Sequence, residues 1–257
     1  MDFLADYHTH TVYSHGTGTV LQNAVAAKEK GLLQIGISDH GFAHPFFGVK
    51  KRSLESMRAD CTAATAQTGV QVLMGVESNF VDKHGNCDLT EDFYDKFDIF
   101  LAGAHVCVKY KDLSSWWNVG FWQPTVTKFG GTAEGRSKAF MTDLYVNAVT
   151  RQPIDVITHL DYRVFADVAE VARCCAKYGT YIEINTKKSH MTDEQWRAVY
   201  ETGVNFIIGS DAHSPSRVAD IAPALELMRR VGIEETRVHN LGRLPRFRFA
   251  EYKGVKL

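Results

Sequence analysis

Nothing constrains the fold of this chain more than the positions of its histidines. Apolar runs with strand character end, one after another, on an imidazole or a carboxylate. His8 and His10 close the run at 3–8, His40 the run at 33–40, and Glu77 lies near the end of the run at 71–80. His105 closes 97–106, His159 closes 155–161, and Asp211 and His213 close 205–213. A further run at 180–186 carries Glu183 and Asn185. Helical segments fall between these runs at 20–30, 53–67, 134–149, 164–177, 193–201 and 218–230. Ser53 and Thr192 or Asp193 are expected N-caps. Gly31, Gly69, Gly179, Gly203 and Gly232 sit where helices are expected to end. Such β-α alternation predicts a parallel sheet with helices packed outside it. Seven strands point to an α/β chain of the TIM type, a distorted (β/α)7 barrel, built as one domain over 1–257.

In a parallel barrel the C-terminal strand ends converge on one face. That geometry brings His8, His10, His40, Glu77, His105, His159, Asp211 and His213 together. Residues two apart on a strand point the same way, so His8-x-His10 and Asp211-x-His213 each present two donors to one side. His15 lies in the loop Ser14-His15-Gly16-Thr17, where the glycine allows the chain to turn back over the strand ends. Imidazole and carboxylate together suit zinc, with manganese or iron as alternatives. Nine donors are too many for one tetrahedral ion, and a carboxylate such as Glu77 can bridge two. The expectation is therefore two or three divalent ions, with Glu77 and Asp211 as ligands that also carry the chemistry.

The rest of the composition narrows the class. Formal net charge is −1, without the basic excess of a nucleic-acid binder. No apolar run is long enough to span a membrane. Met1-Asp2-Phe3-Leu4 lacks the basic start of a signal peptide, so a cytoplasmic location is expected. Five cysteines, with no Cys-x-x-Cys pair, read as free thiols rather than a disulfide framework or a thiolate zinc site. One stretch breaks the rhythm: 107–135, with Trp116, Trp117, Phe121, Trp122 and Gly130-Gly131, is either an insertion packed on the rim or a lid over the barrel mouth. Of the remaining histidines, His84 and His239 read as surface residues, His190 has no placement, and His44 either lines the site or is structural.

The ordered set of motifs resembles the polymerase and histidinol phosphatase (PHP) superfamily. Asp6-Tyr7-His8-Thr9-His10-Thr11 is similar to its first signature, Ile37-Ser38-Asp39-His40-Gly41 to its second, Gly75-Val76-Glu77 to its third and Gly209-Ser210-Asp211-Ala212-His213 to its fourth. Ala104-His105 and Thr158-His159-Leu160-Asp161 match the two intervening histidine positions. The resemblance runs from about residue 6 to 217. It implies a trinuclear site: one metal on His8, His10, Glu77 and Asp211, a second on Glu77, His105 and His159, a third on His15, His40 and His213. It also implies phosphoester hydrolysis. A freestanding chain favours the phosphatase branch, and the small-molecule substrate would be histidinol phosphate-like or another phosphorylated metabolite.

Two metals roughly 3.5–4 Å apart can share a hydroxide and activate it for in-line attack on phosphorus. No Gly-x-Ser-x-Gly elbow and no phosphate-cradling glycine loop is present, so no side-chain nucleophile is expected. Cations for the substrate phosphate should lie just past strand ends, which singles out Arg163, Lys187 and Arg217; Lys188 reads as a solvated charge. Glu183 and Asn185 are either partners that orient metal ligands or polar filling of the barrel. The alternatives to a phosphomonoesterase are a metal hydrolase for a phosphodiester or amide bond, and a non-catalytic metal-binding module. No nucleic-acid or membrane partner is expected, and the oligomeric state is open.

Overall fold

A computed structural model describes residues 2–105, 107–123, 134–187 and 191–257. Lys188, His190 and the Gly130-Gly131 pair lie outside the described residues. Seven strands form one sheet: β1 (Ala5–Thr9), β2 (Gln34–His40), β3 (Gln71–Asn79), β4 (Ile99–Gly103), β5 (Val156–Ile157), β6 (Tyr181–Asn185) and β7 (Phe206–Gly209). Every pairing is parallel and the spatial order is the sequence order. The sheet curls until β1 faces β7, giving the nearly closed, distorted (β/α)7 barrel expected from the alternation. Around it run α1 (Val20–Glu29), α2 (Leu54–Thr68), α3 (Glu134–Arg151), α4 (Val168–Tyr178), α5 (Asp193–Glu201) and α6 (Ala222–Val231), with a short C-terminal α7 (Arg248–Tyr252).

Local chemistry sets these boundaries. α1 and α5 begin on capping boxes, Thr19 with Gln22 and Thr192 with Gln195, which satisfy otherwise orphaned backbone donors. Gly69, Gly179 and Gly232 end their helices in the left-handed conformation that glycine adopts without cost. Three expectations are corrected. Ser53 makes no side-chain cap, because a 3₁₀ turn at Lys51–Ser53 leads directly into α2. α4 starts at Val168 rather than 164, because the Asp167 carboxylate accepts the Glu170 amide and fixes the start there. α6 starts at Ala222, since Pro215–Arg217 forms a separate 3₁₀ turn.

The seam between β1 and β7 is not an ordinary ladder. At the C-terminal end the His10 amide donates to the Ala212 carbonyl at 2.8 Å. Lower down, the buried Asn240 side chain replaces ladder bonds. Its Nδ2 donates to Ala5 O at 2.9 Å and Ile208 O at 2.8 Å, and its Oδ1 accepts from the Ile208 amide at 3.0 Å. The N-terminal half of the lumen is apolar, filled by Tyr7, Leu73, Ile99, Leu101 and Ile207, with Phe247 as the plug. Tyr7 and Phe247 meet edge to face at 4.8 Å. Asp155 anchors this floor by accepting the amides of Phe100 and Phe249 at 2.8 and 2.7 Å. His239 belongs here as well. It is half-buried with Nδ1 3.0 Å from the Tyr181 hydroxyl, which corrects its reading as a surface residue.

Within the 107–135 segment, Asp112 caps a helical turn at Leu113–Ser115, followed by a π-helix at Trp116–Trp122. Trp117 packs against Phe121 at 4.9 Å, and Trp116, Trp117 and Phe121 are each about half exposed. All five cysteines are free. Among the described residues no helix is long and apolar enough to cross a membrane.

Candidate metal centre

Strand alternation stacks the polar site directly above the apolar floor. On β3, Leu73 lines the floor and Glu77, four residues on, lies in the site. On β6 the same face carries Tyr181, then Glu183, then Asn185. β1 needs a device to contribute twice. Asp6 pairs with Ile35 but Thr9 with Ile37, so β1 uses three residues where β2 uses two. Such a bulge re-aims a side chain. Here it lets Tyr7 stay in the floor while His8 and His10 both enter the site.

Three ligands get there differently from the strand geometry expected of them. β5 is only two residues long and β7 stops at Gly209, so His159, Asp211 and His213 lie beyond strand ends. His159 and Asp211 have φ of 28° and 48°. Such left-handed residues cluster at functional sites. Asp211 and His213 still converge, with Asp211 Oδ1 3.2 Å from His213 Nδ1, but through a turn rather than a pleat.

Glu77, fully buried, is the hub. Its Oε1 lies 2.7 Å from His159 Nε2, 3.2 Å from His105 Nε2 and 3.4 Å from His8 Nε2. Its Oε2 lies 2.9 Å from His40 Nδ1 and 3.7 Å from His10 Nε2. Asp211 Oδ1 lies 3.3 Å from His10 Nε2 and 3.9 Å from His8 Nε2. His15 completes the set from its loop: its ring stacks on His40 at 4.8 Å and meets His213 edge-on at 4.2 Å. That loop folds back because Gly16 donates to Thr11 O, and a Cβ at Gly16 would stand 2.5 Å from the His10 carbonyl.

Among the described residues, three groups present donor atoms within 4.8 Å of one another: His8, His10 and Asp211; His40, Glu77 and His105; His10, His40 and His213. The first agrees with the set that the family resemblance implies. The other two put His40 beside Glu77 and His10 beside His213, where the resemblance pairs His40 with His15. The donor chemistry fits divalent ions. His8 Nε2, His10 Nε2, Glu77 Oε2 and His105 Nε2 are buried and make no hydrogen bond among the described residues. Buried polar atoms are otherwise almost always satisfied.

Electrostatics separate the imidazoles. Burial works against charge on His8, yet Glu183, Glu77 and Asp211 outweigh it and hold the ring well above its ordinary value. Burial drives His10 well below its own. Burial also opposes charge on Glu77, but His105, His8 and His40 hold its carboxyl well below the usual range.

Three acids support the ligands, and two of them, Asp39 and Asp6, show themselves only in three dimensions. Glu183 Oε1 accepts from His8 Nδ1 at 2.6 Å, and Oε2 accepts from the His159 amide at 2.8 Å and Asn185 Nδ2 at 2.9 Å. Of the two alternatives for Glu183, the one that orients ligands has this geometry. Asp39 accepts from the Thr11 amide and hydroxyl and from the Ser14 hydroxyl, fixing the loop that carries His15. Asp6 accepts from the Ser210 and Ala219 amides, fixing the approach to Asp211. In the sequence Asp6 and Asp39 stand out only by lying beside ligand positions, whereas Glu183 is already a candidate from its strand.

The cations expected to hold a substrate differ in placement. Lys187 Nζ lies 2.7 Å from His213 Nδ1 and 3.7 Å from Asp211 Oδ1. Arg163 is exposed and lines a cleft beside His40 and His105. Arg217 pairs with Asp220 at 2.7 Å within its 3₁₀ turn. His44, buried and 5.4 Å from the His40 ring, lines the same cleft as Arg163; burial pushes its pKa down to about 4. Of the segment 107–135, Cys107 alone lines that cleft among the described residues.

Comparison with known proteins agrees with this architecture. A family model described as the PHP domain matches residues 6–187. A probable phosphatase of Thermoanaerobacter sp. (strain X514) is 31% identical, with 93% of this chain and 91% of that protein covered. A probable phosphatase of Shewanella sp. (strain MR-4) is 27% identical, covering 100% of this chain and 94% of the relative. Among solved structures, histidinol phosphate phosphatase from Lactococcus lactis, complexed with zinc, L-histidinol and phosphate, is similar with a TM-score of 0.62 at 16% identity, covering 96% of this chain and 98% of that one. That structural likeness speaks to the fold. Together with the family model and the sequence relatives, it leads to one assignment: this chain belongs to the PHP domain family.

Proposed function

We propose that this protein is a metal-dependent phosphatase that hydrolyses small-molecule phosphate monoesters, using two or three divalent ions held by His8, His10, His15, His40, Glu77, His105, His159, Asp211 and His213. Zinc suits the donor set best, with manganese or iron as alternatives. The observation that carries this reading is the Glu77 carboxylate, buried and within 4 Å of five imidazoles from four other strand ends. A carboxylate so surrounded is suited to serving two ions at once. The names of the sequence relatives support phosphatase chemistry.

Ions bound there would polarise phosphoryl oxygens and lower the pKa of water near neutrality. The chain's own residues do the remainder. Glu183 holds His8 in the tautomer that directs Nε2 into the site. The apolar floor under Glu77 keeps bulk solvent out from below, which strengthens every charge interaction above it. Lys187 and Arg163 supply positive charge on two sides of the cluster for a dianionic phosphate. The natural substrate is a small phosphorylated metabolite.

The test compares p-nitrophenyl phosphate with bis(p-nitrophenyl) phosphate on zinc-reconstituted and chelated protein, with elemental analysis of the same preparations. Hydrolysis of the monoester, lost on chelation and restored by about two to three metal equivalents, is expected. Exclusive hydrolysis of the diester, or metal content of one equivalent or fewer after reconstitution, would overturn the reading.

A further inference from the structure

Beside the cluster lies a cleft of about 250 Å³ with a built aromatic wall. The wall runs outward from the candidate ligands without a break. Phe47 stacks on His15 at 4.5 Å, His44 packs on Phe47 at 4.9 Å and on His40 at 5.4 Å, and Phe46 continues the surface 6.4 Å beyond Phe47. Phe46 is 77% exposed and Phe47 42% exposed. Tyr162, carrying Arg163 over its ring at 5.1 Å, belongs to the same lining.

These exposed rings do not sit on a loose loop. The Ala43 amide donates to Asp88 Oδ2 at 2.7 Å, and Asp88 is itself held by Ser78 and Asn79 of β3. The Phe47 amide donates to His44 Nδ1 at 3.1 Å, and Gly48 and Val49 donate to the carbonyls of His44 and His40. The Lys109 amide closes on the Ala43 carbonyl at 2.9 Å. The loop is thus fixed from three sides while it presents two phenylalanines to solvent next to a polar site. Single exposed apolar residues are ordinary; a contiguous, anchored patch at the mouth of a site marks ligand binding.

The charge of the lining is equally one-sided. Among the described residues it contains no carboxylate, and Arg163 is the one permanently charged side chain. An ammonium group placed here would find no counter-ion among those residues and would face the Arg163 guanidinium. A flat, uncharged ring would cover Phe46 and Phe47 and meet no such cost. The volume admits one ring on a short linker.

We propose that this cleft is the leaving-group pocket, and that it selects phosphate monoesters whose alcohol ends in an uncharged aromatic or apolar ring over those whose alcohol carries an ammonium group. The proposal rests on the phosphatase reading and specifies its substrate class. Phe46 and Phe47 are the specificity-determining residues, with Tyr162 and Arg163 in the remainder of the lining. A ring burying one face against this wall removes on the order of 60 Å² of apolar surface, which corresponds to about tenfold in affinity.

Non-hydrolysable phosphonates isolate this preference from leaving-group reactivity. Binding of 3-phenylpropylphosphonate, 3-aminopropylphosphonate and inorganic phosphate to the zinc-loaded protein is measured by calorimetry, with metal content checked for each preparation. The phenyl compound should bind at least about tenfold more tightly than the amino compound. The double variant Phe46→Ala/Phe47→Ala should bring the ratio to within about threefold, and Phe46→Ala alone, at the 77% exposed position, should lower it at unchanged metal content. Equal affinities in the wild type, or tighter binding of the amino compound, with phosphate binding intact, overturn the pocket assignment alone. If zinc-loaded protein fails to bind inorganic phosphate, the phosphatase reading falls and this assignment with it.

Discussion

Glu183→Gln is the most informative single change, because the substitution is nearly isosteric and its consequence is forced by hydrogen-bond bookkeeping. Glu183 is 1% exposed and accepts from three donors: His8 Nδ1, the His159 amide and Asn185 Nδ2. A glutamine offers one acceptor oxygen and one donor amide. If its oxygen faces the His159 amide, its NH₂ faces His8 Nδ1. His8 must then take the other tautomer, which puts a proton on the Nε2 that faces Glu77 and Asp211. If its oxygen faces His8, an NH₂ confronts the His159 N–H, donor against donor. Either way one charge-assisted bond is lost, about 1.5–3 kcal/mol, and a buried group is left unsatisfied. Partners that orient metal ligands typically cost about 10- to 100-fold in metal affinity when removed, in line with that figure. Competition between the protein and a chromophoric zinc chelator measures this directly, without relying on turnover. Zinc affinity should fall by about 10- to 100-fold while the far-ultraviolet circular dichroism is unchanged. Affinity within about threefold of wild type would show that Glu183 does not fix the His8 tautomer.

Other expectations follow from the same geometry. Glu77→Gln should lower kcat by at least about 10³ in steady-state assays of a phosphate monoester, since it removes the one carboxylate shared by five imidazoles; a loss of less than tenfold would refute the hub role. Asn240→Ala strands Ala5 O, Ile208 O and Ile208 N at the seam and should destabilise the fold by about 2–5 kcal/mol in urea titrations; an unchanged midpoint with unchanged slope would mean that the seam closes without it. Burial raises Asp155 to about 7, above the roughly 3.9 of an unfolded aspartate, so the stability of its protonated form is complete below about pH 4 and is lost as pH rises through about 7. Asp155→Asn should flatten that part of the stability profile, and identical pH slopes in the two proteins would contradict the assignment.

The order of strands and the convergence of their ends were legible because both depend on repeated local signals. Apolar runs, capping residues such as Thr192 and glycines such as Gly179 and Gly232 mark where elements begin and stop. The strand ends themselves were less legible. Alternation assumes extended backbone, and it failed at His159 and Asp211, where φ turns positive. It failed in the opposite sense at His8, where a bulge adds a residue that no periodicity announces. Val164 and Val218 suggest helix starts that come too early, because both are buried in turns before the helices begin. Nothing near Arg217 in the sequence distinguishes its pairing with Asp220 from a reach toward the site. Of the acids that brace the cluster, Asp6 and Asp39 become recognisable only once their donors are known, and for Glu183 those donors decide between the two readings that its strand position leaves open.

The seam has a consequence for how the molecule comes into being. His8 and His10 leave the ribosome some two hundred residues before Asp211 and His213, and Asn240, which stitches β1 to Ile208, follows later still. Until then the first strand has one neighbour and an open edge, exposed to mispairing. Its long-range pairing is the slow kind of contact. Metal that bridges His10 and Asp211 would bind both margins of the closing cylinder, so it would favour the closed form by mass action. The same ions would then act first as a late clasp on the nascent barrel and only afterwards as reagents.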